Sequence, residues 1–135
     1  MKNTKIERIL KEQERIVKEF GRDSEEYNAF YKSFDRGAWA IITAYCRSNK
    51  KGFDEIVFTN DELIWSDDID YIINFCKEAK IGWFVYGSGY SGTMDTIMHL
   101  VEAGAKVGKF VVKEYTDNRF GEVEVIKVPG IRINL

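Results

Sequence analysis

Ile81–Tyr115, IGWFVYGSGYSGTMDTIMHLVEAGAKVGKFVVKEY, decides the fold of this 135-residue chain. Its first six residues are an almost uninterrupted apolar run, which is typical of a strand covered on both faces. A glycine-rich loop follows, and apolar residues then recur at helical spacing over Thr93–Ala103 before Gly104, a residue type that commonly ends helices. A new strand begins at Phe110. This order predicts a βαβ unit whose two strands are parallel neighbours.

The residues before this unit predict two antiparallel helices. Apolar side chains over residues 6–20 share one face of the first helix, and Gly21 is placed to end it. Asp23 and Glu26 form a variant of the capping box, which predicts a second helix that continues to about Ser48. Because only a few residues join the two helices, they should form a hairpin that covers one face of the sheet.

Gly37 lies in the middle of this predicted second helix. Glycine costs about 1 kcal/mol relative to alanine inside a helix. Its presence therefore predicts either a kink or a close approach of another helix at this point.

Residues 53–80 predict one strand and one helix. Ile56-Val57-Phe58 is a strand candidate, and Leu63-Ile64-Trp65 is either its continuation or its hairpin partner. Ser66 offers an N-cap for a helix through residues 69–76. Acidic residues stabilise the N-terminal end of a helix, so we expect the acids of its first turn to serve that role rather than to bind a metal. These acids are Asp67, Asp68 and Asp70.

The residues after the unit predict a strand hairpin. Residues 116–121 are expected to link the strand 110–115 with a strand over 123–128. Pro129-Gly130 should bend the chain before a half-exposed final strand, 131–135. The sequence thus predicts a single α/β domain of the mixed α+β kind. In it a helical hairpin, residues 1–50, packs on a four- to five-stranded mixed sheet, residues 53–135.

Composition restricts the class of protein. Hydrophobic residues make up 44% and charged residues 31% of the chain, which is ordinary for a globular domain. No apolar run approaches the roughly 18 residues of a membrane helix, and the first residues lack the apolar core of a signal peptide. We therefore expect a cytoplasmic protein. Cys46 and Cys76 lack metal-ligand spacing and are expected to be buried thiols.

Charge is distributed unevenly along the chain. Residues 52–76 contain seven acidic residues and no Lys or Arg. We interpret this window as a surface for a partner protein with a basic surface. Aromatic residues that flank the glycine loop are candidate anchors of the same contact. The predicted partner-binding residues are Asp54, Glu55, Asp61, Glu62, Asp67, Asp68, Trp83 and Tyr90.

The first predicted helix carries a positive stripe on its polar face. Such a stripe can bind the phosphates of a nucleic acid. However, Glu7 and Glu14 precede Lys11 and Lys18 by four residues, the favourable orientation for helix ion pairs, so we prefer a solvated, salt-bridged face. The stripe consists of Lys5, Arg8, Lys11, Arg15 and Lys18, followed by Arg22.

The glycine loop supports an alternative function. Gly87-x-Gly89-x-x-Gly92 matches the dinucleotide-binding fingerprint in the required position, after a strand and before a helix. In this alternative, Gly87, Gly89, Ser91 and Gly92 bind phosphates, and Glu114 lies where a ribose-binding acid is found. The motif leaves space for only half of a doubly wound sheet, so we expect no cofactor.

Ser91 also resembles the nucleophile of a hydrolase elbow, although Thr93 replaces the second glycine. His99 lies on the same predicted helix, where Asp95 and Glu102 are its neighbours at helical spacing. A surface ion pair explains this histidine better than a catalytic triad does.

Three segments carry a resemblance to a known group of proteins: Phe53-Asp54-Glu55-Ile56, Leu63-Ile64-Trp65 and His99-Leu100-Val101-Glu102-Ala103-Gly104. Together they resemble small uncharacterised proteins of bacterial phages and plasmids over residues 53–135. Such mobile-element proteins include counter-defence factors, among them anti-CRISPR proteins. The resemblance implies this context and transfers no catalytic residue.

We therefore predict a small intracellular binding protein that is not an enzyme, binds no metal or cofactor, and inhibits a host defence nuclease. One alternative is a nucleotide- or phosphate-binding protein that uses the Rossmann-like loop. The other is a metal-dependent nuclease that uses the acidic window.

Overall fold

The computed structural model describes residues 1–87 and 91–135, and for Arg119 it describes the backbone only. Predictions that concern Ser88, Gly89 or Tyr90 lie outside the described residues. Five α-helices and a four-stranded mixed sheet form an α+β fold in this part of the chain, which confirms the predicted class. The helices are α1 (Thr4–Phe20), α2 (Glu25–Lys32), α3 (Arg36–Lys50), α4 (Ile69–Glu78) and α5 (Thr93–Glu102). The strands are β1 (Val57–Phe58), β2 (Trp83–Tyr86), β3 (Lys106–Arg119) and β4 (Glu122–Asn134).

The second predicted helix is two helices, α2 and α3. The chain breaks at Ser33-Phe34-Asp35, and the side chain of Asp35 accepts a hydrogen bond from the N–H of Ala38, 2.8 Å away. An N-terminal cap of this kind starts a new helix. Aromatic rings fill the bend, where Trp39 contacts Phe34 edge to face and stacks on Tyr31.

Gly37 permits a close approach between α3 and α4. A Cβ atom at this position would lie 2.5 Å from Cβ of Tyr71 and 2.6 Å from the backbone N of Ile72. The glycine lies in the first turn of α3 rather than in the middle of a longer helix. Of the two structural roles that the sequence left open, the close approach of a helix is the correct one.

The strand order of the sheet is β1-β2-β4-β3. β2 is internal, as predicted, and Phe84 on this strand is fully buried. β2 and β3 are not neighbours, because β4 pairs antiparallel with both of them. The predicted βαβ unit is therefore correct in its elements and wrong in its pairing. The adjacent parallel pair is β1 and β2, which α4 connects.

β4 takes its place between β2 and β3 because it supplies apolar side chains there. Ile131 and Ile133 pack in the main hydrophobic core together with Phe84 and with Leu100 of α5. This position also explains why the predicted bend at Pro129-Gly130 is wrong. β2 ends opposite Ile131, so Pro129 pairs only with β3. Although proline has no N–H, the pairing between β2 and β4 therefore loses no hydrogen bond.

The segment from Thr59 to Trp65 does not form the strand that the sequence left open as a possibility. It is irregular and leads into a short 3-10 turn over Ser66–Asp68, in which no side chain caps the helix start. Cys76 is buried, as predicted, but Cys46 is exposed.

The helices cover one face of the sheet, and a short loop covers part of the other. The main core on the helical face contains Phe58 of β1 and Ile72 of α4. On the opposite face, Phe53 packs against Val57, Val85 and Val128 in a smaller cluster. None of the helices in the described part of the chain combines the length and the apolar character that crossing a membrane demands.

Candidate functional site

Glu55 is a buried carboxylate of the acidic window, and cations from distant strands neutralise it. Lys113 Nζ lies 2.8 Å from Oε1 of Glu55 and 2.8 Å from Oδ1 of Asp54. Arg132 Nη2 lies 3.0 Å from the other oxygen, Oε2, which also accepts a hydrogen bond of 2.7 Å from the indole N–H of Trp83. We call these residues the Glu55 network.

Electrostatics in this network favour the ionised carboxylate. Burial would raise the pKa of Glu55, but the hydrogen bonds from Lys113 and Trp83 and the charge of Arg132 outweigh it and hold this pKa below its usual value. The hydrogen bond and charge of Lys113 also lower the pKa of Asp54. The network therefore fastens the loop before β1 to strands β2, β3 and β4.

Two further acids of the window have structural partners. Glu62 is buried and accepts hydrogen bonds of 2.7 Å from the N–H and 2.6 Å from the hydroxyl of Thr59, and Arg47 lies 3.3 Å away. Asp68 is buried and forms an ion pair of 3.2 Å with Arg36. Although the window contains no Lys or Arg, cations from elsewhere in the chain therefore neutralise Asp54, Glu55, Glu62 and Asp68.

The remaining acids of the window, Asp61, Asp67 and Asp70, are exposed, and large apolar side chains of the same segment are exposed as well. Trp65 is 58% exposed, Tyr71 51% and Leu63 46%. Beside Leu63 and Trp65, a shallow cavity of about 280 Å³ extends to Tyr86, Thr96 and His99. We define the acidic–aromatic surface as Asp61, Leu63, Trp65, Asp67, Asp70 and Tyr71, all of which are exposed.

Trp83 lies apart from this surface. It is 46% exposed, and the guanidinium of Arg132 lies 5.2 Å from the centre of its ring. Its indole N–H is already bonded to Glu55. Trp83 and Glu55 therefore lie together in the Glu55 network. Asp61 and Asp67 are not part of that network.

Gly87 and Gly92, the two glycines of the loop that the structure describes, have different surroundings. A Cβ at Gly87 would lie 2.8 Å from Val128 Cγ1 and 3.1 Å from the carbonyl oxygen of Phe58, so packing alone requires this glycine. Gly92 precedes α5 and has open space beside it, and Ser91 is exposed. A dinucleotide site also needs the following strand to lie next to β2. β4 occupies that position, and Glu114 on β3 instead lies 3.8 Å from Lys127.

The groups that a hydrolase would need are not assembled in the described residues. His99 Nδ1 lies 3.5 Å from Glu102, one turn along α5, in an exposed pair of the kind that the sequence predicts. Over residues 1–87 and 91–135, no cluster of three His, Cys, Asp or Glu side chains has the arrangement of a metal site.

The positive stripe of α1 is only partly salt-bridged. Arg15 pairs with Glu12 at 2.6 Å and with Glu19 at 2.8 Å. The predicted role of Glu7 is wrong, because its carboxylate accepts a hydrogen bond of 2.6 Å from the hydroxyl of Tyr45 and thereby fastens α1 to α3. Lys5 pairs with Glu78 of α4. Arg8, Lys11 and Lys18 are exposed, so nucleic-acid binding by this stripe stays the alternative that we do not prefer.

A family model described as a domain of unknown function, DUF7698, matches residues 40–135. The chain belongs to the DUF7698 family. No curated protein and no solved structure matches this chain. The DUF7698 match begins within α3 and includes the whole sheet, the Glu55 network and the acidic–aromatic surface, whereas α1 and α2 lie outside it.

Sequence reasoning missed a second exposed surface of this DUF7698 protein. Beyond the end of β2, strands β3 and β4 pair only with each other and form a ribbon over residues 110–129. Along one face of this ribbon, Phe110, Val112, Val123 and Val125 are each at least half exposed. A short signal was present in the sequence, since apolar residues alternate at Phe110 and Val112 and again at Val123 and Val125.

Proposed function

We propose that this DUF7698 protein is a non-enzymatic binding protein whose acidic–aromatic surface docks on a basic surface of a partner protein. The observation that carries this proposal is the exposure of Trp65, Leu63 and Tyr71 among the exposed carboxylates of Asp61, Asp67 and Asp70. A few residues dominate the binding free energy of protein interfaces, and Trp and Tyr are enriched among them. Carboxylates around them speed association with a basic partner and select against acidic ones.

Only some acids of the window can take part in the proposed contact with a partner. Glu55, Glu62 and Asp68 are buried and paired, so their removal would disturb the fold rather than a contact. Asp61, Asp67 and Asp70 have their side chains in solvent and are free to face a partner without unfolding the loop. We therefore move the proposed contact from the whole window to residues 61–71.

We place the partner among the nucleases of host defence, following the resemblance to phage and plasmid proteins. Such nucleases have basic grooves that bind phosphates. Carboxylates that enter such a groove would compete with the nucleic acid. This proposal makes the protein an inhibitor in a cytoplasm that contains both.

Capture of partners by an immobilised protein tests the proposal. The test variant carries Asp61→Asn, Asp67→Asn and Asp70→Asn. The control carries Glu14→Gln, Glu122→Gln and Glu124→Gln, which changes the net charge equally at exposed sites elsewhere. We expect wild type and control to capture the same basic protein from a bacterial lysate, and the test variant to bind it at least tenfold more weakly, about 1.4 kcal/mol.

A second variant isolates the apolar contribution. Trp65→Ala should weaken the same complex by about 2 kcal/mol if the ring is a central anchor. Melting temperatures close to that of wild type are required of each variant. Equal capture by the wild type and by both variants of residues 61–71 would contradict the proposal. Loss of capture in the control variant would contradict it as well.

A further inference from the structure

The ribbon of β3 and β4 has one supported face and one bare face. On the supported face, Tyr115 contacts the ring of Phe53 edge to face at 5.8 Å, and Lys51 lies 5.0 Å from the centre of the Tyr115 ring. Lys113 on this face is bonded to Asp54. The loop before β1 thus covers one face of the ribbon.

The other face continues the helix-bearing face of the sheet. Phe110 lies directly opposite Ile131, and opposite residues of antiparallel strands point to the same face. Ile131 packs against the main core, but Phe110 is 65% exposed. Farther along the same face, Val125 is 57% exposed and Val123 70%. We define the ribbon face as Phe110, Val112, Val123 and Val125, with Glu114 and Lys127 between them and with Thr116 and Asn118 opposite the last two valines.

Helix α5 adds an apolar stripe on the same side of the sheet. Leu100 faces inward in the main core, whereas Met94, Met98 and Val101 recur at helical spacing and are exposed. We call these three residues the α5 stripe. The exposed area of the ribbon face and the α5 stripe is on the order of the roughly 800 Å² that each partner contributes to a stable interface.

The tip of the ribbon carries a further exposed ring. Phe120 and Gly121 form the two-residue turn, and both have positive φ, 54° and 79°. Asparagine or glycine is the usual residue at the first of these positions. Phe120 is bulky, adopts an unfavourable backbone conformation and is fully exposed. A residue that is costly to the fold at an exposed tip indicates a contact outside the folded chain.

The aromatic ring at the tip of the ribbon and the methionines of α5 at its base are suited to contact each other. The ribbon extends about 33 Å from Phe110 to Phe120, at roughly 3.3 Å per residue. It therefore separates an exposed ring at the tip from the exposed methionines of α5 at the base, and thioethers make favourable contacts with aromatic rings. The ribbon face carries one acid and one base, Glu114 and Lys127, so two copies brought face to face do not repel each other.

We propose that a second copy of this chain covers the ribbon face. The two ribbons pack face to face and antiparallel about a two-fold axis, so that Phe120 of each copy contacts the α5 stripe of the other. Such an interface uses the same patch on both copies and closes without a free surface. Complete burial of both patches would bury on the order of the roughly 1,600 Å² of a standard interface. The proposal uses a surface distinct from residues 61–71.

Sedimentation equilibrium of the full chain tests this arrangement with two neighbouring substitutions. Val125→Lys places a charge on the ribbon face. Glu124→Lys places the same side chain one residue away, on the other face of the strand, and serves as the control. We expect wild type and Glu124→Lys to be dimers at micromolar concentration, and Val125→Lys to dissociate at least 100-fold more readily with an unchanged melting profile at high dilution. A wild type that remains monomeric at 100 μM would overturn the proposal.

Disulfide trapping tests the antiparallel orientation. Phe120→Cys and Met94→Cys are each combined with Cys46→Ser, which removes the exposed native thiol. When the two variants are mixed and oxidised, we expect mixed dimers to form at least tenfold faster than either homodimer. Equal rates for all three pairs, or dimers that persist in Val125→Lys, would show that another surface associates.

Discussion

At the scale of single residues, the conformation of Phe120 predicts an unusual substitution. Phe120→Asn should stabilise the monomer by about 1 kcal/mol, because asparagine tolerates a positive φ that costs other L-residues roughly 1–2 kcal/mol. The backbone at this position has φ 54°. Denaturant unfolding at high dilution, where association is negligible, measures the change.

The adjacent turn residue provides the control for this prediction. Gly121→Ala should destabilise the monomer by about 1 kcal/mol, because its φ of 79° suits glycine alone. If the two substitutions shifted the unfolding midpoint in the same direction, turn strain would not be the cause.

Glu55 predicts a dependence of stability on pH. Its pKa is held below the unfolded value of roughly 4.3, so the unfolded state binds more protons in this range and stability falls with falling pH. The contribution is complete above about pH 4.3 and is lost as the pH falls through the lower folded-state pKa. Glu55→Gln should cost about 2 kcal/mol at pH 7.

Unfolding curves of wild type and Glu55→Gln at pH 7, 5, 4 and 3 measure this dependence. The difference between the two proteins should be constant from pH 7 to 5 and should shrink below that range. A difference that stays the same down to pH 3 would show that the carboxylate charge has no part in it.

At the scale of helices and strands, α3 can pack closely on α4 because Gly37 has no side chain. Gly37→Ala should destabilise the protein by about 1–3 kcal/mol, as overpacking in a core does, because its Cβ would meet the backbone of Ile72 at 2.6 Å. Helix propensity alone would predict the opposite effect, because it favours alanine over glycine. Thermal unfolding measures the effect.

Gly82→Ala is the matched control, because no atom lies within 4 Å of a Cβ at that position. Its effect should stay within about 0.5 kcal/mol. A stabilising Gly37→Ala would mean that the two helices are farther apart than described.

Elements were predictable from the sequence where local signals agree. Glycines at the ends of α1 and α5 have positive φ, as expected of Gly21 and Gly104. The break between α2 and α3 was not predicted, because the apolar spacing continues through Phe34 and conceals the cap formed by Asp35. The position of β4 was not predictable from the βαβ pattern, since the apolar alternation of residues 131–135 suits an edge strand as well as an inserted one.

At the scale of the whole molecule, the candidate site was predictable only in part. Sequence identified an acidic window with exposed acids at Asp61 and Asp67. It could not show that Glu55 is neutralised by Lys113 and Arg132, because these cations lie far along the chain and arrive only when the sheet forms. Composition also could not reveal the ribbon face, because alternation of apolar residues does not say which face is covered.

The place of β4 also determines when the sheet can be completed on the ribosome. β4 is synthesised after β1, β2 and β3, yet it lies between β2 and β3. When β3 has left the ribosome but Ile131 has not, the nascent chain still lacks the strand that joins β2 to β3. During that time β2 has an unpaired edge, and the emerging chain is most open to chaperones and to pairing with the wrong strand.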